Sequence, residues 1–579
     1  MRRIRTWALA VPVFLWAAVC SPVEAQRLFP GTPEIVSALE RLNVTASALM
    51  IAAHPDDENT ALLAWFARGR GARTAYLSIT RGEGGQNLIG SERGDLLGLI
   101  RTQELLAARR IDGARQLFTR AIDFGFSKTA EETLAKWGRE RVLADLVWNI
   151  RRFRPDVIVL RFSGTSRDGH GHHQASAILG REAFLAAGDA QRFPGQLHRV
   201  EPWKAKRLVW NAFSFTPGQE REAAAQAGRI EIDTGAYNPV LGYSYGEIAG
   251  LGRSLHRSQG FGAPERRGTL RNFLVHVAGD PARTDIWDGI DTTWNRVPGG
   301  AGVGVALAEA AARFDPRHPE RTVPALLRAR EAMSKLTGPI VQHKRRDLDE
   351  CLALCAGLWL DASADRDSAS PGGQAVVEIT AINRSRYPLA FLGAGLDGIP
   401  GAPRVDAGGK LLGYNQPARH SLKVSIPGDM RYSQPYWLRK PHSDSFYQVD
   451  DPQLTGLAED PPVLQARFRI RFDLQEVEIV RPVIRRYVDR VLGELTRPFL
   501  IVPAVSLRLP ETAILFPSPE PRKVEVEARA KSLQELRERN ERSVADLREQ
   551  LANLSRQRQQ LLTQMEALTK LQSSFTGLY

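Results

Sequence analysis

The apolar run Ser47-Ala48-Leu49-Met50-Ile51-Ala52 passes without a linker into Ala53-His54-Pro55-Asp56-Asp57-Glu58, and a helical pattern begins at Thr60. A strand, a polar turn and a helix in immediate succession predict a layered α/β fold with a mostly parallel sheet. In open sheets of that kind ligands bind at the carboxyl ends of the strands, which is where this turn puts its imidazole and carboxylates. A Pro-Asp turn can also be a simple helix start, because Asp caps well and Pro suits the first turn. A second polar cluster downstream decides between the two.

That cluster is Asp168-Gly169-His170-Gly171-His172-His173-Gln174-Ala175, again shortly after a strand-like run, Asp156 to Arg161. Three of the 11 histidines of the chain fall within four residues there. His54, Asp57 and one of these histidines would offer Zn²⁺ two nitrogens and one oxygen and leave a coordination position free for water, as hydrolytic rather than structural sites do. Cysteine contributes no such site: Cys20 falls within the first 25 residues, directly after the amino-terminal apolar run, and Cys351 and Cys355 are spaced to pack on one helix face, with a disulfide as the alternative.

Together the two segments resemble the PIG-L/LmbE-like family of N-acetylglucosaminyl deacetylases, whose signature is an Ala-His-Pro-Asp-Asp-Glu box followed by a His-Pro-Asp-His-x-Ala box. The first box matches at all six positions. The second keeps the outer histidines and the alanine but has Gly171-His172 where the family has Pro-Asp. The likeness continues through Thr80-Arg81-Gly82-Glu83-Gly84 and Arg101-Thr102-Gln103-Glu104, and covers roughly residues 45 to 190.

The resemblance implies a Rossmann-like catalytic domain with zinc held by His54, Asp57 and His173. It implies Asp56 as general base, His170 directed at the reacting carbonyl and Arg101 in contact with substrate. His172 remains the rival to His173 as third ligand; otherwise it is a solvated or hydrogen-bonded neighbour whose loss would do little. Glu58 is assigned to supporting the helix or the ligands.

The rest of the chain is read from pattern alone. At 579 residues it exceeds what one core usually serves. Arg2, Arg3 and Arg5, an apolar run from Trp7 to Val19 and Val23-Glu24-Ala25 predict an export signal over residues 1–25, with a secreted or periplasmic mature chain beginning at Gln26. No other segment has the length of a membrane span, so no integral membrane segment is expected in the mature chain. Residues 26–219 alternate strands and helices as the deacetylase-like domain, and 220–357 read as a helical and loop extension of it. Within that extension His256, Arg257 and Gln259 lie near a helix end and are read as a solvated helix end, with a reach over the metal to shape substrate binding as the alternative; no catalytic role is assigned to them.

Residues 358–530 show strand alternation, as in Arg467-Phe468-Arg469-Ile470-Arg471-Phe472, and predict one or two β-sandwich modules of immunoglobulin-like type. Tyr432, Tyr436, Trp437, Phe446 and Tyr447 would there either stack on sugar rings or fill a core or inter-domain contact. Residues 531–579 place Val544, Leu547, Leu551, Leu554, Leu561, Met565, Leu568 and Phe575 at coiled-coil-like spacing, which suits self-association or docking as a long helix. The net charge of +13 is spread without a basic tract or a nucleic-acid motif, so no nucleic-acid partner is expected.

The expected activity is zinc-dependent removal of an N-acetyl group, with metal-bound water as nucleophile, from an N-acetylglucosamine-type sugar or glycoconjugate. Two alternatives stand beside it: a catalytically silent glycan-binding envelope protein, and a de-N-acylase or amidase of a different substrate.

Overall fold

The computed structural model describes residues 31–212, 217–508 and 529–532. Residues 1–25, read above as an export signal, and residues 533–579, which carry the heptad pattern, lie outside the described residues. Among those described, no helix is long and apolar enough to cross a membrane.

A seven-stranded sheet organises the first half of the chain. Strands β1 (Ser47–Ala52), β2 (Arg73–Ser78), β3 (Arg115–Phe118), β4 (Val157–Leu160) and β5 (Arg207–Ala212) are parallel, in the order β3-β2-β1-β4-β5. Every residue of β1 and of β4 is buried, which is why both read as unbroken apolar runs. Alternate side chains serve opposite faces. Leu49, Ile51, Ile158 and Leu160 pack with Val142, Leu146 and Ile150 of helix Arg139–Phe153 and with Leu179 and Ala183 of helix Gly171–Ala186. Ala48, Met50, Val157 and Val159 pack with Leu62, Leu63, Phe66 and Leu105 on the other face.

The chain runs outward from β1 to β2 and β3, then crosses back to β4 on the other side of β1. That reversal leaves a crevice between the carboxyl ends of β1 and β4, the usual position of a ligand site in such sheets. Both polar segments of the sequence emerge there.

Three features differ from the sequence pattern. Leu134, Val142, Leu146, Ile150 and Phe153 are spaced as on one helix from Glu131 to Phe153, but the chain forms two, Ala130–Trp137 and Arg139–Phe153, broken at Gly138, whose φ of +76° suits glycine. Within 220–357, strands Arg271–Gly279 and Ile230–Asp233 extend the sheet antiparallel beyond β5. Helices Ala301–Ala312, Val323–Ser334 and Pro339–Cys355 share the hydrophobic core of the later β-sheets rather than that of the seven-stranded sheet. Cys351 and Cys355 are buried and unpaired in the last of these helices.

The β region is built on two main sheets over one core. A five-stranded sheet includes Leu358–Ala364, Gln374–Asn383 and Ala418–Ser425; a four-stranded antiparallel sheet includes Leu389–Asp397, Gln465–Phe472 and Gln475–Pro482. Val377, Ile379, Phe391, Phe468 and Ile470 meet between them. Strand Arg529–Ser532 pairs with Val505–Arg508, so β structure continues two residues past the boundary read at 530.

The segment between Ser425 and Gln465 leaves the β-sheets and lies on the α/β domain. Of the aromatic cluster proposed for sugar stacking, Tyr436, Trp437 and Tyr447 are buried with Ile122, and Phe446 joins the core beneath β1 and β4. They form an inter-domain contact; only Tyr432 is exposed. At its centre the buried Arg81 guanidinium lies 3.4 Å from the Trp437 ring centroid and donates to Leu457 O, Ala458 O, Tyr436 Oη and Thr102 Oγ1. Arg81→Ala would strand these acceptors, with an expected loss of about 3 kcal/mol. Denaturant unfolding with hydrogen exchange over 430–460 checks this; unchanged exchange there would separate Arg81 from the contact.

Candidate metal and catalytic site

The turn after β1 is held from below. Asp56 has φ +94°, a conformation that costs a side-chain-bearing residue energy and persists only where its surroundings impose it. Glu58 Oε2 accepts from Asp56 N at 2.9 Å, Arg253 donates to Asp56 O at 3.0 Å, and Arg161 donates to Asp57 O at 2.8 Å. Arg101 donates to Pro55 O, to Gly82 O and to Asp56 Oδ2, the last at 2.9 Å. Gly82 makes room for this guanidinium, since a Cβ there would stand 2.3 Å from Nη1.

Glu58 is itself clamped by Arg109 at 3.1 Å and by His256 Nε2 at 2.9 Å. Burial works against its charge, but His256 and Arg109 hold the carboxyl far below its usual range. His256 therefore sits fully buried behind the turn, not at a solvated helix end. Gln259, also buried, donates to Gln86 O.

Above this support, His54, Asp57 and His173 each present a ligand atom within 4.8 Å of the others. His54 Nδ1 is 3.2 Å from Asp57 Oδ2, and His173 Nε2 is 3.3 Å from Asp57 Oδ1. His173 Nδ1 stands 3.2 Å from the Asp168 carbonyl, which can only accept; with the proton on Nδ1, Nε2 would be free to ligate a metal beside Asp57. Phe162 stacks on this ring at 4.0 Å.

The donor set suits a divalent cation. Although burial disfavours charge on His54, Asp57 and Asp123 raise its pKa to about 9, so the pocket draws positive charge to that ring. A metal ion between the same groups answers the same field, with nitrogen and carboxylate ligands of the type zinc takes. His54, His170 and His172 form a second possible group. It fits less well, because His172 is wholly buried and its Nδ1 lies within hydrogen-bond distance of His54 Nε2, at 2.9 Å.

Were His54 Nδ1 to ligate a metal, its Nε2–H would donate to His172 Nδ1, 2.9 Å away. A ligating histidine usually gives this proton to a carboxylate or carbonyl; here a second imidazole receives it. His172 is packed against Trp137 and Phe124, and burial together with the charge of His54 keeps it neutral. The contact gives the buried His172 an orienting role, whereas the sequence alone suggests that its loss would do little. His172→Phe is expected to weaken metal affinity roughly 10–100-fold; an unchanged affinity in metal titration would return it to the status of bystander.

His170 caps helix Gly171–Ala186, its Nδ1 accepting from His172 N at 3.0 Å. The neutral ring thus carries its hydrogen on Nε2 and can donate without being protonated. Burial and the nearby His54 lower its pKa to about 4. The departure from the family's Pro-Asp also has a local reason: Gly171 N donates to Ser127 O, which proline cannot do, and a Cβ at Gly171 would lie 2.2 Å from Thr129 O.

Asp56 stands beside the candidate ligands. Burial raises its carboxyl to about 6 against the pull of Arg101. Its Oδ2 is bound by Arg101, and its Oδ1 makes no hydrogen bond among the described residues. Arg101 is itself buried, with the contacts that the structure gives it spent on holding Asp56 and the turn rather than reaching outward.

Sequence reasoning passed over Asp123, in the loop after β3. Its carboxylate lies 3.9 Å from His54 Nε2 and 3.7 Å from His172 Nδ1. Asp123 N donates to Glu83, and Glu83 accepts from Tyr447 Oη at 2.8 Å, which ties the site to the segment from the β region.

Comparison with known proteins agrees with this geometry. Residues 49–184 match the PIG-L family model, GlcNAc-PI de-N-acetylase. A 1D-myo-inositol 2-acetamido-2-deoxy-alpha-D-glucopyranoside deacetylase of Kineococcus radiotolerans is 29% identical over 30% of this chain and 54% of its own length. A second deacetylase of that description, from Saccharopolyspora erythraea, is 30% identical over 31% of this chain and 70% of its own. The chain thus spans about half of the first relative's length. An N,N'-diacetylchitobiose deacetylase of Pyrococcus horikoshii covers 37% of this chain and 70% of its own at 18% identity and a TM-score of 0.27, a likeness too slight to carry an argument. With both signature segments meeting in one crevice and a relative matched over most of its length, the chain belongs to the PIG-L family.

Proposed function

We propose that the chain is a zinc-dependent N-deacetylase acting on an N-acetylglucosamine-type sugar conjugate. The observation that carries this reading is the placement of His54, Asp57 and His173 around one position, with the Asp56 carboxylate and the His170 donor beside it. The substrates named for the two inositol-sugar relatives support the choice of an acetamido sugar.

An acetamide resists water, so the reaction needs a stronger nucleophile and positive charge where the oxyanion develops; bound zinc supplies both by acidifying water and polarising the carbonyl. The residues of the chain do the rest. Asp56 Oδ1 accepts the proton of the attacking water while Arg101 fixes Oδ2. His170 Nε2–H donates to the developing oxyanion. The proton gained by Asp56 then passes to the departing amine, so that acetate and a primary amine leave in equal amounts.

The amino-terminal pattern supports export and a mature chain starting at Gln26. We assign the immunoglobulin-like β region a supporting role, since the segment it sends to the α/β domain backs the loop of Asp123. Metal analysis beside acetate and amine release from N-acetylglucosamine conjugates tests the whole reading. Stoichiometric zinc with equimolar products is expected. A zinc-loaded protein that binds such sugars without releasing acetate would instead be the glycan-binding protein, and release from other N-acyl amines alone would change the substrate class.

A further inference from the structure

A cavity of about 330 Å³ lies at the opposite end of the sheet from the catalytic turn. Ser47, Arg73 and Arg115, the first residues of β1, β2 and β3, open onto it, as do Arg41 at the end of helix Thr32–Asn43 and His343 and Lys344 of helix Pro339–Cys355. β1 separates it from His54 by six residues, or roughly 20 Å at the usual rise of a strand. It is distinct from the catalytic site.

Its charge is not balanced from within. Seven cationic side chains line it against two carboxylates, Asp156 and Asp347. Asp156 is taken by a two-point ion pair with Arg296 and by Ser47. Arg154 is paired with Glu201, and Arg152 donates to the carbonyls of Gln453 and Thr455. This leaves Asp347 alone to face Arg41, Arg73, Arg115 and Lys344, and no ion pair joins it to any of them. Among the described residues, the side chains of Arg41, Arg115 and His343 make no hydrogen bond or ion pair. The buried Nε of Arg73 has no partner, while its Nη1 donates to Phe153 O.

Burial, and after it the neighbouring cations, disfavours positive charge on the groups that line the cavity. Burial, with Arg73, Arg115, Arg346 and Lys344 around it, drives the pKa of His343 down to about 3. Burial and the neighbouring guanidinium groups lower Lys344 to about 8 and Arg73 to about 9. Folding has gathered like charges into a partly enclosed space, which is unfavourable unless an anion enters it.

We propose that this cavity is a binding site for a phosphate dianion, free or carried as a phosphomonoester on a small molecule. Several guanidinium groups facing one space suit the tetrahedral oxygens of phosphate, which they can bind through paired N–H donors. A doubly charged group also offsets more of the surplus than a single carboxylate, and Asp347 already supplies one of those. The Phe153, Trp203 and Ile340 side chains on the wall offer apolar surface to the organic part of an ester.

The test is calorimetric titration of the full chain with inorganic phosphate, glucose 6-phosphate and succinate, all against sodium chloride of matched ionic strength. Arg41→Gln/Arg115→Gln is the variant of choice, because both side chains are solvent-exposed at the rim and their removal relieves repulsion. Phosphate or the ester should bind the wild type, and the double variant should bind at least tenfold more weakly while its unliganded Tm is equal or higher. His173→Ala should bind as the wild type does, which separates the cavity from any metal-held phosphate. Tighter binding of the ester than of phosphate marks a small-molecule phosphomonoester as the ligand; the reverse marks free phosphate. Binding of neither ligand, equal binding of succinate, or undiminished binding by the double variant overturns the proposal.

Discussion

Asp56→Asn is expected to retain zinc and lose turnover by roughly 10² or more. Asn has nearly the shape of Asp and tolerates the left-handed region better than most residues, so the φ of +94° remains accessible. The side-chain oxygen can still accept from Arg101, so the guanidinium that donates to Pro55 O and Gly82 O is not released. What is lost is the capacity to take a proton. His54, Asp57 and His173 are untouched, and metal content should stay at the wild-type level. Metal analysis beside steady-state rates separates the outcomes: zinc loss would make Asp56 part of the binding set, and near-normal turnover would remove it from the chemistry. Asp56→Ala is the less informative variant, because it leaves Arg101 buried without its carboxylate.

How much of this was legible beforehand depends on whether a feature is local. β1 and β4 were readable because a strand buried on both faces is a continuous apolar run, and the turn after β1 because six consecutive residues specify it. Strand Ile230–Asp233 has only four residues and Arg271–Gly279 carries polar residues among its apolar ones, so neither rises above the surrounding loops. The break at Gly138 was written as a glycine, but the apolar spacing on either side of it reads as one helix.

In the site, the candidate ligands were legible and their support was not. Asp123 belongs to no motif; only its approach to His54 and His172 marks it. His256 stands 198 residues from Glu58, and the sequence carries no trace of their pairing. The aromatic cluster was visible as composition, yet whether it faces sugar or protein depends on where a long connection between strands comes to rest. Arg81, beside that cluster, lies inside a recognised motif segment and turns out to be engaged from a part of the chain some 360 residues away.

The largest expected loss is in the ligands themselves. His54→Ala, Asp57→Ala and His173→Ala should each lose zinc and fall to background activity, because a site with three protein donors has none to spare when its remaining position serves water. The three should nevertheless differ in their second effect. The Asp57 carboxylate also accepts from His54 N at 2.7 Å, so Asp57→Ala disturbs the turn as well as the metal. His173 lies on the first turn of helix Gly171–Ala186, stacked on Phe162, and its loss should leave the β1 turn in place. His173→Ala is accordingly the cleanest zinc-free form, expected to unfold close to the metal-stripped wild type. Chelator treatment should abolish wild-type activity, with recovery on adding zinc to the wild type and none in the three variants. If His173→Ala retained zinc while His172→Ala lost it, the third ligand would be His172, and the 2.9 Å approach of His172 to His54 would mark the metal position rather than a hydrogen bond that orients a ligand.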